Sequence, residues 1–190
     1  LQRDADPSDE SGHGTHVAGI IAAEVDNGIG ISGVAGNARV MALRAGFNLP
    51  GGGYLEDDDL AAAILYAVDN GARVINMSWG DPSGAPVLRD AIRYADSAGV
   101  VLVAAAGNEG EDAVFYPARF SQTIAVGASA TEGQVLAFSN YGPSIDVVAP
   151  GQAILSLFPG ETYGPRSGTS MAAPHVAGLA ALLLGRQPAW

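Results

Sequence analysis

Neither cysteine nor lysine occurs among the 190 residues. The first absence removes disulfides and thiolate metal sites as sources of stability, and it leaves the redox compartment unread. The second leaves nine arginines as the whole basic complement against 20 acidic residues, for a net charge of −11. A chain so short of cations lacks the phosphate-neutralising surface that nucleic-acid binding requires. Long apolar runs are missing too: the longest, 100–106 and 176–184, fall well short of the ~20 residues a membrane helix needs, so a soluble protein is expected. There is no Gly-x-Gly-x-x-Gly turn between strand and helix and no lysine-bearing phosphate loop, which excludes a nucleotide-binding module. No signal-peptide pattern opens the chain, which starts at Leu1 and stops at Pro188-Ala189-Trp190 directly after a helical pattern, so both ends read as cut.

What is present suits one domain with a real core, since 48% of the residues are hydrophobic. No repeat or linker divides the chain. Short apolar runs alternate with helical patterns, the signature of a parallel sheet covered on both faces. Strands are expected at 40–44, 74–78, 100–105, 123–127 and 145–148. Asp57-Asp58-Asp59 opens an apolar-periodic run that closes at Asn70-Gly71, placing acids at the positive end of a helix and glycine past the other. Residues 85–98 repeat this logic, closed by Gly99. Ligand-bearing residues then belong at the carboxyl ends of strands and the amino ends of helices.

Three stretches fall there. Gly168-Thr169-Ser170-Met171-Ala172-Ala173-Pro174-His175-Val176-Ala177-Gly178 sets a serine at the mouth of a helix of small residues. Gly12-His13-Gly14-Thr15-His16-Val17-Ala18-Gly19 does the same with a histidine, and Ala104-Ala105-Ala106-Gly107-Asn108 ends a buried strand on an amide. Singly, each has a plain structural role: a serine there is an N-cap, and an asparagine after glycine is a turn residue. In combination they supply a nucleophile, a base to take its proton and a donor for a developing oxyanion.

Together these stretches resemble the subtilisin-like serine endopeptidases, from about Asp9 to Trp190. The resemblance implies a three-layer α/β fold, a mostly parallel central sheet flanked by helices and truncated at both ends, with residues 1–190 forming one partial peptidase domain. It casts Ser170 as nucleophile, His13 as general base and Asn108 as oxyanion donor beside the Ser170 backbone N–H. His16 and His175 are read as packed, hydrogen-bonded histidines. The aspartate that orients the histidine in this family, within Asp-Ser-Gly or Asp-Thr-Gly, has no match. Asp4, Asp6 and Asp9 lie near His13, but each must fold back sharply to reach its ring, so the carboxylate is expected on a segment upstream.

Ser78-Trp79-Gly80 resembles the family segment that pairs with substrate and walls the primary pocket. Gly52-Gly53-Tyr54 resembles the opposing segment, while Ala106, Gly107, Glu109 and Phe115 complete the substrate set. Trp79 and Phe115 imply a shallow pocket for small or medium apolar side chains, and Glu109 disfavours acidic ones. Tyr116-Pro117 matches a dipeptide that is cis in relatives. The loop at 25–31 resembles a structural calcium site in which Asn27, Ile29 and Ile31 supply oxygens, lacking an upstream aspartate. The acidic run from Asp4 to Glu10 reads as a solvated loop rather than a second ion site. The implied partners are peptide or protein substrates and an inhibitory propeptide, the implied state a monomer outside the cell. The competing reading is a pseudoprotease that keeps the fold as a binding module without turnover.

Overall fold

A computed structural model describes residues 6–49 and 52–187. In chain order run α1 (His13–Ala22), β1 (Gly46–Leu49), β2 (Gly52–Leu55), α2 (Asp57–Asp69), β3 (Val74–Met77), α3 (Pro86–Ser97), β4 (Val101–Ala105), β5 (Ile124–Ser129), β6 (Val147–Pro150), β7 (Ile154–Phe158), β8 (Thr162–Arg166) and α4 (Thr169–Arg186). The central sheet has the order β3-β4-β5-β6 and every pairing is parallel, with Val74 opposite Val101 and Val126 opposite Val147.

Period-two alternation along β4 divides the core into two layers. Leu102 and Ala104 point to one face, where they meet Leu60, Ala61 and Ile64 of α2 and Leu88, Ile92 and Ala95 of α3. Val103 and Ala105 point to the other, against Ala172, Ala173 and Ala177 of α4. The result is the three-layer α/β fold expected from the sequence. Its back layer is thin because α4 presents small residues. A Cβ added at Gly178 would stand 2.7 Å from Val34 Cβ, so α4 lies as close to its neighbours as backbone allows. His16, fully buried, locks α1 to the β7–β8 hairpin through Nε2 to the Gly164 carbonyl oxygen at 3.1 Å and an edge-on contact with Phe158.

Four of the five expected strands are present with small shifts at their ends. The fifth, at 40–44, is not: those residues form no ladder, and Val40, Met41 and Leu43 are 50, 40 and 38% exposed. The cause is the lack of a neighbour. Residues 38–47 and the open edge of β3 face each other across a cleft of about 1580 Å³, floored by Val17, Ile21, Leu60 and Ile64. A strand-forming sequence pairs only where another strand lies within ~5 Å. Two antiparallel hairpins, β1–β2 and β7–β8, went unread in the sequence. Gly52 and Gly53 are strand residues paired with Leu49 and Asn48. The Tyr116–Pro117 bond is cis.

Candidate active site

Ser170 is the second residue of α4, and its surroundings follow from Pro174. A proline in a helix has no N–H to give the carbonyl four residues back, which frees the Ser170 carbonyl oxygen. The Ser78 hydroxyl fills that vacancy at 2.8 Å and is itself held by Asn76 Nδ2 at 2.9 Å. The end of β3 is thereby tied to the first turn of α4. In return, Ser170 Oγ donates to the Ser78 carbonyl oxygen at 3.0 Å.

Asn108, past the end of β4, reaches across to the same turn. Its Oδ1 accepts from the Thr169 N–H at 2.8 Å and the Thr169 hydroxyl at 3.0 Å. This satisfies one of the orphan amides of the helix start and leaves Nδ2 as the free donor of Asn108. No acceptor engages the Ser170 N–H among the described residues. Two uncommitted N–H donors therefore stand beside one hydroxyl. The loop carrying Asn108 is held by buried Asn140, whose Oδ1 accepts from the N–H of Glu109 and of Glu111 and whose Nδ2 donates to the Glu109 carboxylate at 3.1 Å. Thr169 and Asn140 were not picked out in the sequence, since a threonine within Gly-Thr-Ser and an asparagine within Ser-Asn-Tyr carry no signature of their own.

Trp79, Gly80, Gly107, Asn108, Glu109, Phe115 and Ser170 gather around one recess of about 80 Å³. That is far below the ~300–1,000 Å³ of a pocket for a whole ligand and leaves room for no more than a single side chain. Ala105 lines it; Ala106, expected there, is fully buried against α2 and α3. Gly53 borders the large cleft instead. Ser78 and Trp79 also line that cleft, as does His13.

His13 is the first residue of α1. Among the described residues its ring forms no hydrogen bond, neither with Ser170 nor with a carboxylate. Burial, then the Arg166 guanidinium, holds it below the ordinary imidazole range, with the Asp9 charge opposing and His16 adding to the depression. Asp9 does fold back, though to the helix backbone rather than the ring: Oδ2 accepts from the Thr15 N–H and hydroxyl, both at 2.7 Å, and Oδ1 from the Gly12 N–H at 2.8 Å. Asp6 turns back on Ser8. Asp4 lies outside the described residues.

Burial is the first cause depressing all three histidines, His13, His16 and His175, below 6.5. The unfolded chain therefore binds more protons as pH falls through that value, and stability, complete above it, declines toward the folded values. The melting temperature is expected to fall between pH 7 and pH 5. A flat or rising curve over that interval would contradict this.

The loop at 25–31 bends back on itself, with Asn27 Oδ1 accepting from the Ile29 N–H at 2.9 Å and the Ile29 side chain 68% exposed. Asn27, Ile29 and Ile31 offer three neutral oxygens, where calcium takes 6–8 with carboxylates among them. No cluster of three acidic or histidine side chains exists among the described residues. The residues present do not complete a calcium site.

Comparison with known proteins places these features. The model of the subtilase family matches residues 2–190. A thermophilic serine proteinase of Bacillus sp. (strain AK1) is 51% identical over 183 residues, 96% of this chain and 45% of that protein. Subtilisin Savinase of Lederbergia lenta is 44% identical over 182 residues, 96% of this chain and 66% of that one. Among solved structures, a psychrophilic protease superposes with a TM-score of 0.89 at 36% identity, covering 99% of this chain and 68% of its own. The prenylagaramide maturation protease PagA gives 0.82 at 37%, covering 93% and 65%. The chain spans 45% and 66% of the length of these two curated relatives. No helix among the described residues is long and apolar enough to cross a membrane.

Proposed function

The chain belongs to the subtilase family, and from that premise we propose that it carries the nucleophile, base and oxyanion donors of a serine endopeptidase. Ser170 Oγ attacks the scissile carbonyl while His13 takes its proton; the same proton then goes to the leaving amine, and water repeats the sequence on the acyl-enzyme. The observation that carries this reading is the posture of Asn108. With Oδ1 fixed on Thr169, its Nδ2 joins the Ser170 N–H as a pair of preorganised donors, which stabilise the tetrahedral oxyanion more than the planar substrate.

The carboxylate that holds His13 comes, in this proposal, from a strand seated in the large cleft and belonging to the longer protein. Extended substrate adds along Ser78-Trp79-Gly80, with Gly52-Gly53-Tyr54 opposite, and its side chain enters the recess floored by Phe115. The proposed partners are peptide or protein substrates and an inhibitory propeptide, acting on a secreted monomer. One observation favours the second reading, a binding module without turnover: Ser170 Oγ rests on Ser78 rather than on His13.

A fluorophosphonate probe separates the two. Labelling at Ser170, lost in Ser170→Ala and faster for probes bearing an alanine-like or valine-like group than a glutamate-like one, is the expected result. Labelling that survives Ser170→Ala, or none in the full-length protein, removes the peptidase assignment.

A further inference from the structure

We propose that Asp9 and Arg166 form a clamp of opposite charges that fixes the place of His13 and sets the pH at which its ring loses a proton. The inference rests on reading His13 as the base. Both partners grip the same short loop ahead of α1. Asp9 holds it from within: Oδ1 accepts from the N–H of Ser11 at 3.1 Å and of Gly12 at 2.8 Å, while Oδ2 takes the Thr15 N–H and hydroxyl. The Ser11 hydroxyl, which donates to Asp9 Oδ1 at 3.2 Å, in turn accepts from the His13 N–H at 3.1 Å. An acidic residue six positions before the N–H that it accepts from thus does what an adjacent N-cap side chain does in ordinary helices.

Arg166 holds the loop from outside. It stands at the end of β8, four residues before the nucleophile; its Nη2 donates to the Ser11 carbonyl oxygen at 3.0 Å, and its guanidinium lies 4.8 Å from the centre of the Phe158 ring. A guanidinium has five donors, yet no carboxylate pairs with Arg166 among the described residues of a chain with 20 acids. Half-buried and without a carboxylate partner among the described residues, Arg166 lowers the His13 ring through its charge. Asp9 projects the opposite field, at a carboxyl that burial raises but that hydrogen bonds from Thr15, Gly12 and Ser11 hold below its usual range, so it stays ionised. His16 acts on it from its own helix, and the other charged groups lining the cleft that His13 borders are Glu10, Arg39, Arg44 and Arg73, of which Glu10 and Arg44 lie 3.5 Å apart and offset each other. A loop serving only as a structural connection needs one grip; two of opposite sign, meeting at Ser11, fix geometry and potential together.

The test is an NMR titration of the His13 ring in the full chain, which needs no turnover and so stands apart from any failure of the peptidase assignment. Asp9→Asn keeps one acceptor and removes the charge, and its His13 midpoint is expected to fall below wild type. Arg166→Gln is expected to raise it. His175, at the far side of α4's first turns, serves as the internal reference and should stay put in both. Midpoints that do not move, or that move together in one direction, overturn the clamp even if the melting temperature drops. Should Asp9→Asn fail to fold, the Arg166→Gln midpoint decides alone: a rise supports the proposal and no change ends it.

Discussion

Seating a β-strand that ends in an aspartate between residues 40–44 and β3 is expected to raise peptide turnover by about 10⁴-fold, the scale on which serine peptidases lose rate when the triad carboxylate is neutralised. The place for it is already shaped. The cleft of about 1580 Å³ is bounded by the unpaired edge of β3 on one side and the exposed Val40, Met41 and Leu43 on the other, and His13 lies on its rim. A single strand entering there gains ladders on both sides and buries apolar side chains against Val17, Ile21 and Ile64, so it should also raise the melting temperature. An apolar peptide ending in Asp-Ser-Gly, added in trans, supplies the experiment, with Asn-Ser-Gly as control. Both peptides are expected to raise the melting temperature and only the first to raise turnover. If neither stabilises the chain, the cleft is not a strand site; if both activate equally, the carboxylate has no part in the rate.

Gly107→Ala is expected to cost about 2–6 kcal/mol and to abolish labelling of Ser170. Gly107 has φ +112, where a side chain is strained, and an added Cβ would stand 2.2 Å from Asn140 Nδ2. Backbone strain of this kind costs about 1–3 kcal/mol, and displacing buried Asn140 leaves the amides of Glu109 and Glu111 without their acceptor, about 1–3 kcal/mol more. In a domain of this size that lowers the melting temperature by roughly 10 °C. The loop that moves is the one that carries Asn108, so stability and the oxyanion donor fail together. Gly133→Ala separates the two contributions: φ is +83 there, but no atom lies within 4 Å of the added Cβ, so only the backbone strain remains. Thermal melts of both variants check this, and equal losses would show that crowding against Asn140 is unimportant.

The sequence carried the parallel sheet and the helices because β4 and α2 each satisfy their own rules locally, an apolar run in one and an acid-opened, glycine-closed amphipathic pattern in the other. It failed where structure depends on a neighbour. Residues 40–44 have strand composition and no strand beside them; Gly52 and Gly53 have loop composition and a partner in β1 that makes them a strand. At the site, His13, Asn108 and Ser170 could be named because each sits in a distinctive run of residues. Their supports could not, because Thr169, Asn140 and Arg166 act through contacts between residues far apart in the chain, up to 155 positions from Arg166 to Ser11, while Asp9, whose contacts are local, was weighed only as a partner of the ring. Only the folded chain shows that Pro174 sets the partner of Ser78.

The reciprocal bonds between Ser78 and Ser170 carry a consequence for timing. The carbonyl oxygen that holds the Ser170 hydroxyl at rest belongs to the segment along which an extended peptide would pair. On the peptidase reading proposed above, an arriving backbone N–H would compete for that oxygen and leave the hydroxyl free to turn toward His13. On that reading the nucleophile would be idle in an empty cleft and armed by occupancy.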